Sequence, residues 1–224
     1  MNNLEITAHL NTPIATFNKW TPAIDGILIY LLLERERLLY PNPTQEQVEE
    51  AYTVLNDLMP LGKGAIGDDW YWQTSSPIFA QETTYRDRYR KRWDYQENNL
   101  NWGKRKAKWQ TSEGGEKSYD LPLECNATKA VRWYAVGYPC EIKDLLQCCT
   151  HIGKKRSYGN GEINQWEVKI IPEDWHLVKG NKLMRPIPKR LAIAAGLPTT
   201  DTVMNWGWKP PSWLHTNQEI CLMP

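Results

Sequence analysis

Phenylalanine is almost missing from a chain that is otherwise rich in aromatic residues. The 224 residues include two Phe, against 12 Trp and 11 Tyr. Most aromatic side chains therefore combine a broad apolar face with a polar group, which suits a surface that contacts a polar ligand. Histidine is also scarce, with four residues, so few imidazoles are available as a general base.

Paired cysteines are missing as well. The five Cys are an odd number, Cys148 and Cys149 are adjacent, and the sequence contains no C-x-x-C pair. This pattern argues against a disulfide framework and offers no zinc-ligand spacing. We predict a reducing compartment, no bound metal and no other cofactor.

Long apolar runs are the third absence. The longest, from Ile27 to Leu33, is far shorter than the roughly 20 residues that span a bilayer. The amino-terminal residues 1–5 lack the basic region of a cleavable signal peptide. We predict a cytoplasmic protein with no membrane partner.

The charge of the chain is present but unevenly placed. The formal net charge is +1, yet residues 1–81 carry ten acids against four bases, while residues 82–108 carry nine bases against four acids. This distribution is typical of a nucleic-acid protein with a basic binding stripe and other faces that meet protein partners.

The first half of the chain predicts a strand followed by two helices. Alternating apolar residues predict a strand over 4–10. Thr21, with Pro22 just inside, starts a helix that ends in a charged run, and the helix dipole favours the acid Asp25 in its first turn. A second helix begins with a capped start at Thr44. Its apolar face consists of Val48, Ala51, Tyr52, Leu55 and Leu58.

The second half predicts two strands, a helix and a last strand. The strands cover 119–125 and 130–136, the helix 141–149, and the last strand 163–170. Together the elements predict one α+β domain, residues 1–224, in the βαββαβ order of ferredoxin-like and RNA-recognition domains, with a long insertion after the first helices. The last forty residues are expected to form an irregular tail over the sheet.

A glycine-rich, cationic loop lies between this helix and the last strand. Residues 151–163 contain three glycines, three consecutive cations and a tyrosine. Glycines allow positive φ and close approach, so successive N–H groups can converge on phosphate oxygens. The residues predicted to bind phosphate here are Gly153, Lys154, Lys155, Arg156, Ser157, Tyr158, Gly159 and Gly161.

The spacing of these glycines fits neither common nucleotide-binding loop. The P-loop and the dinucleotide fingerprint both lead into a helix, whereas this loop follows a helix and leads into a strand. That order favours a polyanion lying along a loop and a sheet edge. A glycine-rich turn with solvated lysines is the alternative.

Cations and aromatics also interleave in the predicted insertion, over residues 85–93 and 102–109. Lys and Arg can follow the phosphates of a single strand while aromatic faces stack its bases, at about 1–3 kcal/mol per base. A solvated charged hairpin is the alternative. The residues predicted to bind nucleic acid here are Arg88, Arg90, Lys91, Arg92, Trp102, Lys104, Arg105, Lys106 and Trp109.

Five short motifs carry a resemblance to a known family. They lie in order at residues 6–13, 24–28, 134–137, 152–161 and 184–188. Together they resemble the small RAMP subunit of type IV CRISPR effector complexes, a relative of the Cas-five family. The resemblance spans most of the chain, and the glycine-rich loop before the last strand is the superfamily's most characteristic element.

The resemblance implies both a fold and a function. The fold is an RRM-like RAMP domain with a β-hairpin thumb, inserted here at about residues 70–118. The function is to bind the 5′ handle of the guide RNA (crRNA) and to cap that end of the backbone filament, without catalysis. The implied partners are the crRNA, backbone RAMP subunits and a large-subunit-like protein, with target nucleic acid contacted indirectly.

Two other functions fit the same residues. Processing endoribonucleases of the superfamily share the fold and the loop, and metal-independent cleavage of precursor crRNA needs a general base and a cation near a ribose 2′-OH. His151, beside the loop, and His9, on the first strand, are the candidate catalytic residues. The other function is that of a general single-stranded nucleic-acid module unrelated to CRISPR.

Overall fold

The structure is a computed structural model that describes residues 1–38, 44–80, 83–91, 118–212 and 214–224. The strands are β1 (Asn2–Leu10), β2 (Ile14–Ala15), β3 (Lys63–Ile66), β4 (Asp69–Trp72), β5 (Ile78–Phe79), β6 (Thr84–Lys91), β7 (Tyr119–Asn126), β8 (Ala130–Gly137), β9 (Ile163–Ile170), β10 (Val178–Lys179), β11 (Lys182–Leu183), β12 (Ile187–Pro188), β13 (Val203–Gly207) and β14 (Gln218–Leu222). The helices are α1 (Ile24–Arg35), α2 (Gln45–Leu58), α3 (Pro139–Leu146) and α4 (Lys189–Ala194). The chain is therefore mixed α/β with several antiparallel sheets, as the coarse prediction required. Within the described ranges, no helix is long and apolar enough to cross a membrane.

A four-stranded antiparallel sheet lies at the centre, in the order β5-β8-β1-β9. Side chains alternate across β1, so Leu4 and Ile6 point to the face that packs with Leu28 and Leu32 of α1 in one buried cluster. The other face, called here the open sheet face, carries the polar residues Glu5, Thr7, His9, Arg132, Glu167 and Lys169, together with Tyr134, which is buried against Trp175. The helices thus cover one face of the sheet.

The two amino-terminal helices differ from their predictions in detail. The expected start of α1 at Thr21 is wrong, because the Thr21 hydroxyl donates back to the Asn18 carbonyl and the helix begins at Ile24. The capped start of α2 is confirmed, since Thr44 and Gln47 form a reciprocal capping box. Leu58 is exposed and does not belong to the buried face of α2.

The strand predicted over 119–125 forms as β7 but does not enter the central sheet. It pairs along its whole length with β6 and at one end with β2. The short strand β5 takes the place beside β8. β5 buries Phe79, whereas β7 leaves Leu121 exposed. Burial of apolar surface therefore favours β5 as the edge strand beside β8.

The prediction that the last forty residues form an irregular tail is wrong. They form a three-stranded sheet in the order β12-β14-β13. Together with Leu183, residues Ile187, Trp208, Leu222 and Met223 are buried in a second hydrophobic cluster. Strands of two to five residues interrupted by prolines give little periodicity to read in the sequence.

Candidate nucleic-acid interface

The glycine-rich loop joins α3 to β9 as predicted and is bonded to the segment that follows β1. The amides of Lys154 and Gly161 donate to the carbonyls of Ala15 and Pro13, at 2.7 and 2.8 Å. Other loop amides that donate to backbone carbonyls are those of Ile152, Tyr158 and Gly159. These five amides are therefore committed to backbone carbonyls, and the predicted role of the loop in phosphate binding stays a prediction.

Two of the loop glycines are required by close backbone approach. Gly153 and Gly161 have φ values of +87° and +67°, a region that side chains rarely occupy. A Cβ at Gly153 would collide with the Ala15 carbonyl, and one at Gly161 with the Ile152 carbonyl. The loop is therefore fixed in position, which holds its cations in a defined place.

Each of the three consecutive cations lies against an aromatic ring from another part of the chain. The Lys154 ammonium is 2.9 Å from the ring centroid of Phe17, and that of Lys155 is 3.5 Å from the ring centroid of Tyr89. The Arg156 guanidinium carbon is 5.2 Å from the ring centroid of Tyr30. Burial lowers the pKa of Lys154, and repulsion from Lys155 adds to this.

The exposure of these rings matters as much as their position. The Phe17 side chain is 74% exposed, and those of Tyr30 and Tyr158 are also exposed. Ring faces and positive charges therefore share one accessible surface, the combination that binds single-stranded nucleic acid.

The loop also contacts the hairpin formed by β6 and β7. The Tyr158 hydroxyl donates to the Tyr89 hydroxyl at 3.1 Å, and the Tyr119 hydroxyl donates to the same group at 2.8 Å. The Tyr89 ring stacks on that of Tyr119, with centroids 5.1 Å apart. Loop and hairpin stem thus form one continuous surface.

Two of the predicted arginines lie on the other side of this hairpin. Alternation along β6 places Arg88 and Arg90 on the face opposite Tyr89. Both guanidinium groups bond to Asp120, at 3.0 and 3.4 Å. Lys91 lies on the same face as Tyr89. The RNA-binding role assigned to all three cations stays a prediction.

Part of the predicted thumb cannot be placed. Arg92, Trp102, Lys104, Arg105, Lys106 and Trp109 lie outside the described residues. Within the range 70–118, the first residues belong to β4 and β5, and β6 pairs with β7, which lies just beyond that range, to form the hairpin stem. The boundaries of the thumb therefore stay a prediction.

A cleft of about 390 Å³ lies beside the loop, between segments far apart in sequence. Three of the five motifs that carried the family resemblance line it, at 25–27, at 152–154 with 156, and at 185–186. Its aromatic lining, which sequence reasoning missed, comprises Phe17, Trp20, Tyr30, Trp206 and Trp208. In the sequence these five residues are scattered through segments predicted as turns, a helix and a tail, so no local pattern indicated that they come together.

Two buried charged residues line the same cleft. The side chains of Asp25 and Arg185 belong to residues only 5% and 4% exposed. The Asp25 carboxyl accepts a hydrogen bond from the Gly26 amide at 2.8 Å. Burial raises the pKa of Asp25, and the positive charge of Arg185 opposes that rise. Asp25 lies in the first turn of α1, as the sequence predicted, where the helix dipole favours an acid.

Arg185 forms hydrogen bonds to two backbone segments near the cleft. Its guanidinium donates to the carbonyl oxygen of Trp72, to that of Thr74 at 3.2 Å and to that of Trp208 at 2.8 Å. Its Nε is buried without a hydrogen-bond partner in the described part of the chain. This buried cation is therefore largely committed to backbone oxygens.

The two candidate catalytic histidines are not brought together. His151 lines the cleft, and its Nδ1 is 3.0 Å from the Thr150 hydroxyl. His9 lies on the open sheet face, where its Nε2 is 3.6 Å from the Glu167 carboxylate. The described residues contain no group of three His, Cys, Asp or Glu side chains placed to hold a metal ion, and all five cysteines are free.

The model of one family, CRISPR type IV associated protein Csf3, matches residues 2–224. The chain belongs to that family, which confirms the resemblance carried by the five motifs and implies a subunit of a type IV effector complex. No curated protein matches the chain.

Proposed function

We propose that this chain is a non-catalytic RNA-binding subunit of a type IV CRISPR ribonucleoprotein, which grips the 5′ handle of the crRNA and caps that end of the backbone filament. The observation that carries the proposal is the run of Lys154, Lys155 and Arg156, each held against an aromatic ring. Cations beside accessible rings can hold phosphates and stack the adjoining bases.

The order of the central sheet supports a RAMP-type fold. In the sheet order β5-β8-β1-β9, the strands β1 and β8 are central, and β5 and β9 are at the edges. In chain order, the first and third strands are therefore the central ones. The helices α1 and α2 lie in the connection from β1 to β5, and α3 lies in the connection from β8 to β9. This is the connectivity of a ferredoxin-like βαββαβ domain, and the β6–β7 hairpin is the stem of the thumb.

The positions of the three cations suggest a path for the RNA. Lys155 lies toward the hairpin stem, beside Tyr89, while Lys154 and Arg156 line the cleft beside Phe17 and Tyr30. A single strand crossing the loop would meet the hairpin on one side and the cleft on the other. Its phosphates would lie on the cations and its bases on the rings.

The acidic surface of α2 is assigned to protein partners. Residues 1–81 have a net charge of −6, from four bases and ten acids, and α2 exposes Glu46, Glu50 and Asp57. An acidic surface repels RNA and complements basic protein faces. We assign it to the backbone and large subunits, so that target nucleic acid is met indirectly.

Salt dependence tests the loop directly. Replacing Lys154, Lys155 and Arg156 together by Ala should weaken crRNA binding. It should also reduce the slope of log affinity against log salt by up to about two, since each phosphate contact on a single strand contributes about 0.7. Fluorescence anisotropy of a labelled crRNA at several salt concentrations measures both.

A matched variant separates specific contact from overall charge. Lys143, Lys182 and Lys189 are exposed and lie outside the cleft, so their triple replacement by Ala removes the same charge elsewhere. The proposal requires that this control keep most of the wild-type slope. Equal slopes in both triple variants would mean that the loop cations only face solvent.

RNA cleavage is the second candidate function, because His151 lines the same cleft as two of the loop cations. The test is incubation of repeat RNA with the full chain while metals are chelated. Specific cutting that is abolished by His151→Ala would replace the non-catalytic proposal. Intact RNA that stays bound would support it.

A further inference from the structure

Resting on the proposed function, we infer that the cleft receives one unstacked nucleobase of the bound RNA. The Asp25 carboxyl accepts a hydrogen bond from the exocyclic amino group of that base. The site therefore favours adenine, cytosine or guanine over uracil at this nucleotide.

The size and walls of the cleft suit one base. Its volume of about 390 Å³ is near the lower end of the 300–1,000 Å³ that small-ligand sites occupy. Phe17 and Tyr30 expose their rings, and the half-buried Trp20 and Trp206 meet edge to face with centroids 6.0 Å apart. Proteins that read single-stranded RNA hold splayed-out bases between rings of this kind.

The charge at the cleft favours RNA over an apolar peptide. Lys154 and Arg156 belong to both the loop and the lining of the cleft. A base entering here brings the phosphates on either side of its ribose toward these cations. A peptide segment would supply no such charge, so the occupant with matching chemistry is a nucleotide within a strand.

The carboxyl of Asp25 supplies the hydrogen-bonding specificity. A carboxylate offers about four lone-pair positions, and the backbone amides of Gly26 and of Asp25 itself bond to this one. Adenine, cytosine and guanine each present an exocyclic amino donor, whereas uracil, like thymine, presents a carbonyl acceptor where cytosine has its amino group. The preference belongs to the ionised carboxylate, because a protonated carboxyl can also donate to a uracil carbonyl.

Arg185 does not compete for this role. Its Nη atoms already donate to the carbonyl oxygens of Trp72, Thr74 and Trp208. These bonds connect residue 185 to the segments that contain Thr74 and Trp208. The positive charge of Arg185 also stabilises the ionised form of the buried Asp25 carboxyl. A buried acid beside a buried, incompletely bonded Arg carries a free-energy cost that packing alone does not require.

The test uses pentaribonucleotides of uridine whose central nucleotide is adenosine, cytidine, uridine or an abasic ribose. Each is titrated into the full chain at low salt and followed by fluorescence anisotropy. A central adenosine or cytidine should strengthen binding about fivefold over uridine, the effect of about one hydrogen bond, and the abasic strand should bind most weakly.

Asp25→Asn is the variant that isolates the carboxyl. Its amide oxygen can still accept from Gly26, while its amino group can donate to uracil, so the advantage of amino-bearing bases should fall below about twofold. Asp144→Asn, on the exposed surface of α3, is the matched control and should keep the wild-type preference.

The outcomes separate this inference from the proposed function. If all four strands bind with equal affinity, the base site is wrong, while RNA binding still stands. If the preference for amino-bearing bases persists in Asp25→Asn, the Asp25 carboxyl is not the hydrogen-bond acceptor. If no strand binds, the proposed function fails and the cleft is tested with CMP and UMP alone. CMP should then shift the indole NMR signals of Trp20 and Trp206 at lower concentration than UMP, and no shift would overturn the site.

Discussion

At the scale of single residues, the burial of Asp25 beside Arg185 is the most costly feature of the cleft. An ionised carboxylate loses hydration when it is buried. The attraction of Arg185 only partly compensates, because the pKa of Asp25 is still raised above its ordinary value. The ionised acid therefore costs stability, which is consistent with a residue retained for binding.

This cost predicts an unusual pH dependence. Because the folded-state pKa of Asp25 is raised above the unfolded value of about 3.9, the folded state keeps the proton longer, and stability is lost as pH rises from the unfolded toward the folded pKa. Asp25→Asn should therefore melt at or above the wild type at pH 7, with about 2–4 °C gained per kcal/mol. At pH 3 to 3.5, where Asp25 is protonated in both states, the difference should shrink. Thermal unfolding at both pH values measures it, and a clear loss of stability at pH 7 would show that the attraction to Arg185 dominates.

The loop glycines give a second residue-scale prediction. Gly161→Ala must clear the Ile152 carbonyl as well as adopt positive φ, whereas Gly159→Ala meets only the φ penalty, since nothing lies within 4 Å of its Cβ position. A single strained φ costs about 1–3 kcal/mol, so we expect Gly161→Ala to lose more stability than Gly159→Ala in urea unfolding. Equal losses would mean that the loop is not held tightly against its neighbours.

At the scale of elements, the loop and the hairpin stem act as one surface through Tyr89. Tyr89→Ala removes the ring under Lys155 and the hydroxyl that both Tyr119 and Tyr158 contact. We expect weaker crRNA binding, by roughly the 1–3 kcal/mol of a lost stacking contact, with the fold retained because the stem is exposed.

Arg88→Ala provides the comparison on the opposite face of β6. Its guanidinium bonds to Asp120, so its loss should reduce crRNA affinity less than Tyr89→Ala in the same anisotropy assay. A larger effect of Arg88→Ala would place the RNA on the other face of the hairpin.

Elements with strong local signals could be predicted from the sequence. β9 alternates apolar and polar residues from Trp166 to Ile170, and α2 begins with a capping box, so local chemistry favours both elements. The position of β7 could not be predicted, because two strands compete for the place beside β8 and tertiary packing decides between them. The short strands β12 to β14 carry too few residues to show a period.

The candidate site was predictable to a similar extent. The glycine-rich loop is a contiguous motif and was found from its composition. The cleft is assembled from Asp25, Lys154, Arg185 and Trp206, which are distant in the sequence. Single-sequence reasoning had no means to bring these together, although three of the family motifs contain cleft residues.

At the scale of the whole molecule, a carboxy-terminal residue bonds to Trp20 of the cleft lining. The Trp20 indole donates to the carbonyl of Pro224 at 3.1 Å and contacts Trp206 edge to face. The carboxy-terminal sheet, with its own hydrophobic cluster, is thereby joined to the segment before α1. The match to the Csf3 family covers residues 2–224 and so includes every segment that builds the cleft.

Under the proposed function, the charge distribution assigns different surfaces to RNA and to protein partners. The acidic surface of α2 lies on a part of the chain with net negative charge, and the loop cations lie with the aromatic rings. Contacts of crRNA should therefore concentrate on the loop, the cleft and the hairpin, while α2 should contact other subunits.

Ultraviolet crosslinking of the assembled type IV complex, with the peptide and the nucleotide both identified by mass spectrometry, tests the central claim most directly. The account predicts that peptides containing Phe17, Tyr30 and residues 151–161 crosslink to nucleotides of the 5′ handle. Crosslinks confined to the open sheet face or to α2, or crosslinks of the loop to spacer nucleotides alone, would contradict it.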